Sequence, residues 1–277
     1  MNWSRAKTIL IIFFICTNIF LLFILLFFMD STPRVSEEIA ASTVQILKAN
    51  GIDADEKLLM QKNEPVYIPE AENIVKNRKE FAENLLGSET KEESDDFYSG
   101  SKGTVSFDGD RFEFLPVSGF MKSEIKSSYA QNSSGLQANI VSLLGIFDTD
   151  LVFKTKEENG VYFLNISRKK GNMQYFCCSA DVEYSNEGIK KISGTWFREK
   201  GRKQQLAEQK PITGLMIDYI GAKENTEEKK TVADIVSGYC IPEDGKYHDK
   251  IFLTPCIGLF FTDGQMYYIN STEQSLY

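Results

Sequence analysis

The chain offers few residues for covalent or acid–base chemistry. Its one histidine, His248, sits in the loop-like run Glu243-Asp244-Gly245-Lys246-Tyr247-His248-Asp249. A histidine there would serve as a base or a metal ligand, but a solvated loop imidazole is the simpler reading. Zinc takes three or four closely spaced nitrogen and sulfur ligands. Seven residues separate Cys240 from His248, and Cys177-Cys178 lacks the two-residue spacer of a zinc pair. Ser123-Glu124-Ile125-Lys126 and Ser167-Arg168-Lys169-Lys170 have the spacing of a serine nucleophile with a lysine base, without the Lys-Thr-Gly strand that accompanies it in penicillin-recognising enzymes. There is no Gly-x-Ser-x-Gly elbow, phosphate-binding glycine loop or Asp-x-Asp-x-Asp calcium loop. Asp148, Asp150 and the acidic run 92–96 read as solvated surface. These patterns predict no enzyme, no cofactor and no metal site.

Polar chemistry of another kind lies near the start. Residues 9–29 hold no charged side chain, and only Thr17 and Asn18 are truly polar. A bilayer core takes roughly 20 helical apolar residues, so the run predicts a transmembrane helix. Arg5 and Lys7 precede it, and Asp30 follows. Cations favour the cytoplasmic side, which places residues 1–8 inside the cell and the rest of the chain outside. A cleaved signal peptide fits less well, because the run is long and no small-x-small site follows it closely. A lipoprotein site at Cys16 is opposed by bulky Phe14 and Ile15. An asparagine in lipid needs a partner for its amide, so Asn18 predicts contact with a neighbouring helix.

The net charge is −8, and the first 29 residues carry two cations and no acid, so the remainder carries −10. An acidic exterior excludes nucleic acid as a natural partner, since that association rewards clustered Lys and Arg. Four cysteines lie beyond the apolar run. Disulfides from Cys177 or Cys178 to Cys240 or Cys256 and four free buried thiols are both open, and strand alternation lets only one of Cys177 and Cys178 face a given partner. Asn132, Asn165 and Asn270 begin glycosylation triplets, which matter only in a glycosylating host.

The pattern predicts an α+β ectodomain of antiparallel sheets with packed helices. A helix begins near Ser36 and closes at Asn50-Gly51. A short helix over 53–62, an extended piece at 65–69, a helix over 70–86 and an exposed loop over 88–101 follow. Asp108-Gly109 joins two alternating runs as a hairpin. A helix over 135–144 leads into four strands at 150–157, 160–168, 172–184 and 188–200, an antiparallel meander. Pro211 starts a helix to Gly221, a charged loop spans 223–230, and a short segment spans 232–237. Two strands, 257–262 and 265–270, finish the chain. Helices precede a hairpin in both halves, so residues 30–133 and 134–277 read as two α+β units of related design.

Both ends also carry a family pattern. Met1-Asn-Trp-Ser-Arg-Ala-Lys-Thr-Ile-Leu10, then Thr17-Asn18-Ile19-Phe20-Leu21, resembles the opening of the YycI (WalI) family. Ile235-x-x-Gly238-Tyr239, Pro255-Cys256, Thr262-Asp263-Gly264 and Tyr267-Tyr268-Ile269-Asn270 resemble segments that this family shares with YycH. The resemblance implies a membrane-bound accessory regulator, without catalysis, of a WalK-like sensor histidine kinase. It implies a YycH-like partner and an effect on cell-wall metabolism. Carried onto this chain, it implies transmembrane contacts by Thr17, Asn18 and Phe20. A structural scaffold of the cell envelope shares the topology and is the alternative; an anchored hydrolase would need acids converging on His248.

Overall fold

The computed structural model describes residues 3–28, 35–61, 65–87, 89–127, 134–146, 148, 150–200, 205–222, 229–242 and 250–272. His248 and its loop, Asn132 and the loop 223–228 lie outside them. The fold is mixed α+β and dominated by antiparallel sheet. The chain divides into two compact units, one of residues 1–64 and 210–231, the other of 65–209 and 232–277.

The first unit holds α1 (Trp3–Phe28), α2 (Glu37–Ala49), β1 (Ile52–Asp53), α3 (Glu56–Leu59) and, from far along the chain, α7 (Ile212–Ala222). Ser36 caps α2 by accepting from the Ile39 amide, and Glu37 and Glu38 complement the positive N-terminal end of the helix. Asn50 and Gly51, at φ 75°, end it. Ala40, Thr43 and Leu47 form the buried stripe of α2, which packs against α7. The helix expected over 53–62 is shorter, because Ile52 and Asp53 pair in parallel with Lys230 and Thr231.

Among the described residues, no helix is long and apolar enough to cross a membrane. The transmembrane span expected over 9–29 is therefore not seen there. Within α1 the continuous stretch of described side chains is Ile11 to Phe23. Every side chain in that stretch is exposed.

The second unit is built on a long sheet in the order β17 (Met266–Asn270), β16 (Thr254–Phe261), β14 (Lys230–Cys240, from Val232 onward), β10 (Met173–Ser185), β11 (Gly188–Thr195), β7 (Arg111–Pro116), β6 (Gly103–Asp108), β5 (Phe97–Gly100), β4 (Lys91–Ser94). β9 (Val161–Lys170) pairs with β10, and β8 (Leu151–Glu158) with β9. The expected meander is present. Its first turn, Asn159-Gly160, has φ of 53° and 78°, as a two-residue turn matching strand twist requires. β7 and β11, from either side of position 133, pair directly. Smaller sheets join β12 (Phe197–Glu199), β3 (Glu70–Asn73) and β15 (Lys250–Phe252), and β13 (Gln205–Ala207) with β2 (Val66–Ile68).

Two expectations are corrected. Residues 70–86 are not one helix: β3 comes first, flanked by β12 and β15, and α4 (Arg78–Leu86) follows under an Asn77 cap. Residues 88–101 are not a loop, since β4 and β5 form an edge hairpin. Its exposed Lys, Glu and Ser side chains discourage further strand pairing.

The core gathers α4 against β5 and β6, with Phe81 5.0 Å from Phe112 and 6.0 Å from Phe107, ring centre to ring centre. α5 (Lys122–Ser127) and α6 (Ser134–Leu143) complete it, Leu136 and Ile140 being buried. Phe81→Ala should lower unfolding stability by about 3–5 kcal/mol, measured by chemical denaturation of the full-length protein in detergent.

Candidate functional surfaces

On α1 the three residues expected to contact a partner do not share one face. At about 100° per residue, Thr17 and Phe20 stand side by side, while Asn18 points away from Phe20. The Thr17 hydroxyl donates to the Phe13 carbonyl at 2.9 Å, and Asn18 Nδ2 donates to the Phe14 carbonyl at 2.8 Å. Thr17 thus spends its hydrogen on its own helix, whereas Asn18 Oδ1 has no partner among the described residues. Phe20 is 62% exposed.

Within the second unit, polar side chains converge on Arg168, whose side chain is 6% exposed. Its Nη2 lies 3.4 Å from Asp148 Oδ1 and 3.3 Å from Glu199 Oε1, and its guanidinium stands 4.3 Å from the Tyr175 ring centre. Trp196 Nε1 donates to Asp148 Oδ2 at 2.9 Å, Tyr175 donates its hydroxyl hydrogen to Glu199, and Lys170 lies 3.2 Å from Glu199. Burial works to raise the Glu199 carboxyl. The Tyr175 hydrogen bond and the charges of Arg168 and Lys170 outweigh it and hold the group below the usual carboxylate range. Burial, then Glu199, pushes Tyr239 up to about 12, and its hydroxyl donates to the Tyr67 carbonyl at 2.7 Å. Asp148, expected as solvated surface, is in fact a half-buried acceptor. No local pattern announces it, because Trp196 is 48 positions away.

A cleft of about 540 Å³ opens nearby, lined by Glu72, Asn77, Glu80, Asn84 and Arg198 among others. Its charges are already spoken for. Lys200 and Lys76 pair with Glu72 and hold that carboxyl low, and Arg198 donates to the Gly145 carbonyl. Such a site offers ion pairs rather than a proton donor facing an acceptor. Ser167 and Lys170, three apart on β9, point to opposite faces of the strand. No group of His, Cys, Asp and Glu among the described residues is arranged to hold a metal ion.

The closing sheet brings together what the sequence scatters. Ile235, Gly238 and Tyr239 lie on β14; Gly238 faces Cys256 and Tyr239 faces Pro255 on β16; Cys256 faces Asn270, and Gly258 faces Tyr268, on β17. Asp263 Oδ1 accepts from the Gln265 amide and Gly264 takes φ 85°, closing the turn between β16 and β17. The Phe176 ring rests on a glycine floor. A Cβ on Gly238 would come within 2.5 Å of it and within 2.2 Å of the Gln174 carbonyl, and one on Gly258 within 2.8 Å of the ring. Tyr268 packs on Phe176 at 4.7 Å, and Tyr268 and Met266 are each 44% exposed.

Phe176 reaches this floor because β10 bulges. Tyr175 pairs with Arg168, but Ser179 pairs with Ser167, so residues 176–178 are extra. A bulge suspends strand alternation, and the sulfurs of Cys177 and Cys178 consequently lie 4.0 Å apart. The expectation that these two cysteines face opposite ways is corrected accordingly.

Two outcomes are expected. Gly238→Ala forces a methyl against backbone and ring and should cost about 3 kcal/mol, read from the denaturation midpoint. The Glu199 carboxylate is stabilised in the folded state, so its contribution is present above the ordinary glutamate pKa of about 4.3. It is lost as pH falls through the lower folded value. Glu199→Gln should cost about 2 kcal/mol near neutrality and almost nothing at pH below that value, measured by denaturation across an acid series.

No family model and no curated protein matches the chain. Among solved structures it is similar to an uncharacterized protein from Eubacterium rectale ATCC 33656, with a TM-score of 0.48, 9% identity, and coverage of 88% of this chain and 99% of that one. It is similar to YycH from Bacillus subtilis, with a TM-score of 0.46 and 11% identity over 75% of this chain; the match spans about half, 52%, of YycH. It is also similar to the Bacillus megaterium YpeB C-terminal domain, with a TM-score of 0.31, 11% identity, and coverage of 87% and 94%.

Proposed function

We propose that this chain is a single-pass membrane protein that regulates a WalK-like sensor histidine kinase together with a YycH-like partner, and so affects cell-wall metabolism. The observation that carries the reading is the convergence of three sequence segments on one block of sheet. Ile235-x-x-Gly238-Tyr239, Pro255-Cys256 and Tyr267-Tyr268-Ile269-Asn270 occupy three adjacent strands in direct register.

The anchor in this reading is residues 9–29, with residues 1–8 in the cytoplasm and the remainder outside. In support, the described side chains of α1 from Ile11 to Phe23 are exposed all round, Phe13 by 73% and Ile15 by 50%. A helix apolar on every side belongs in a core or a bilayer. Asn18 Oδ1 then meets a donor on a neighbouring helix, worth about 0.5–2 kcal/mol, with Thr17 and Phe20 supplying packing. Regulation follows if the protein binds one kinase state better than another and shifts their populations.

The test is a crosslinking pull-down from native membranes, comparing the natural chain with Asn18→Leu. Recovery of a histidine kinase and a YycH-like protein is expected, weakened roughly 3–10-fold by the substitution. Equal recovery from both chains would move the contact from the anchor to the ectodomain. Recovery of neither would overturn the regulatory reading in favour of an envelope scaffold.

A further inference from the structure

The closing sheet places two thiols where they can react with each other. Cys240 is the last residue of β14, and Cys256 is the third of β16. The register sets Cys240 opposite Thr254 and Gly238 opposite Cys256. The two cysteines are therefore diagonal neighbours on one face of the sheet, with no side chain on Gly238 between them. Cys240 Sγ donates to the carbonyl of Thr254, two residues before Cys256, at 3.6 Å. Cys240 is partly exposed, whereas Cys177, Cys178 and Cys256 are buried. Beyond α1, Cys240 is thus the cysteine that a dissolved reagent reaches first.

We propose that Cys240 and Cys256 form a redox-active cross-strand pair, closing reversibly to a disulfide by exchange with a low-molecular-weight disulfide. The Cys240 thiolate attacks one sulfur of the small disulfide; a bond forms to that sulfur, the old sulfur–sulfur bond breaks, and one small thiolate leaves. Cys256 gives up its proton and attacks Cys240 Sγ, expelling the second small thiolate. The leaving thiolates take up the two protons. Two cysteine thiols are oxidised, and one small disulfide is reduced to two thiols.

The environment assigns the order of attack. Cys256 beside it lowers the Cys240 pKa against the effect of burial, while burial, and then Cys240, raise that of Cys256. Thiolates rather than thiols carry out the exchange. Diagonal strand neighbours have Cα atoms about 7–8 Å apart, beyond the roughly 4.4–6.8 Å that a disulfide spans at rest. Closure must therefore draw β14 and β16 together, and it can do so because Cys240 ends its strand. A bond made under that constraint is readily reduced, which suits a switch rather than a permanent staple. Cys177 and Cys178 touch each other but lie out of a reagent's reach.

The test uses the full-length protein in detergent with Cys16→Ala. Reduced protein is equilibrated at graded ratios of oxidised to reduced glutathione, its thiols are blocked, and the protein is then unfolded, blocked with a second reagent and mapped by peptide mass. The expected result is joint loss of the Cys240 and Cys256 thiols as one linked species. Cys177 and Cys178 remain thiols, and dithiothreitol reverses the change. In Cys256→Ser, glutathione should stay on Cys240; in Cys240→Ser, no linkage should form. A link from Cys177 or Cys178 to either residue, glutathione persisting on Cys240 of the parent protein, or four unchanged thiols at the most oxidising ratio would each overturn the proposal. The parent protein alone decides these, should a serine variant fail to fold.

Discussion

A buried guanidinium sets the terms for the larger unit. Taking Arg168 out of water is unfavourable by several kcal/mol unless opposite charge and hydrogen-bond acceptors surround it. The structure answers that demand at one end of the guanidinium: Asp148 and Glu199 both approach Nη2 and the Tyr175 ring lies against the group, while Nε and Nη1 are buried without a hydrogen-bond partner among the described residues. Each of these groups is fixed in turn. Trp196 holds Asp148, while Tyr175 and Lys170 hold Glu199. A loop, two strands of the large sheet and one of a smaller sheet therefore meet at a single charge. Apolar packing alone tolerates slippage between such elements; a buried charge that needs two carboxylates at one nitrogen does not.

β10 carries a second constraint. Its later half pairs with β11, and its earlier residues Gln174 and Tyr175 pair in parallel with Gly238 and Tyr239 of β14. One strand thus joins the meander to the closing sheet. The bulge at 176–178 lies between the two pairings. It turns Phe176 onto Gly238 and Gly258, and it brings Cys177 beside Cys178. The glycine in Ile235-x-x-Gly238-Tyr239 accordingly has a packing reason: a ring and a backbone carbonyl occupy the space that any side chain would need.

Features governed by neighbours in sequence were legible. Ser36 and Asn50-Gly51 bound α2, Asp108-Gly109 turns β6 into β7, and Asn159-Gly160 turns β8 into β9. Features decided by distant partners were not. Glu70–Asn73 reads as the start of a helix until β12 and β15 take its two edges. The acidic run after Ser88 reads as a loop because the side chains that suit a guarded edge strand also suit solvent. Asp148 reads as solvated surface until Trp196 and Arg168 are placed beside it. The candidate surfaces divide in the same way: Thr17 and Asn18 stand out by composition and Phe20 enters through the family resemblance alone, whereas the Cys240–Cys256 pair depends on strand register.

The order in which the chain is made has its own consequence. α2 buries its apolar stripe against α7, but Ala49 leaves the ribosome long before Ile212 does. At about 5–20 residues per second, that interval is on the order of ten to thirty seconds. For that time Ala40, Thr43 and Leu47 have no α7 to cover them. The smaller unit can close only after most of the larger one has emerged. Early in synthesis the nascent segment behind α1 is thus an unshielded amphipathic helix, and it is in this window that a chaperone or a membrane surface would find it.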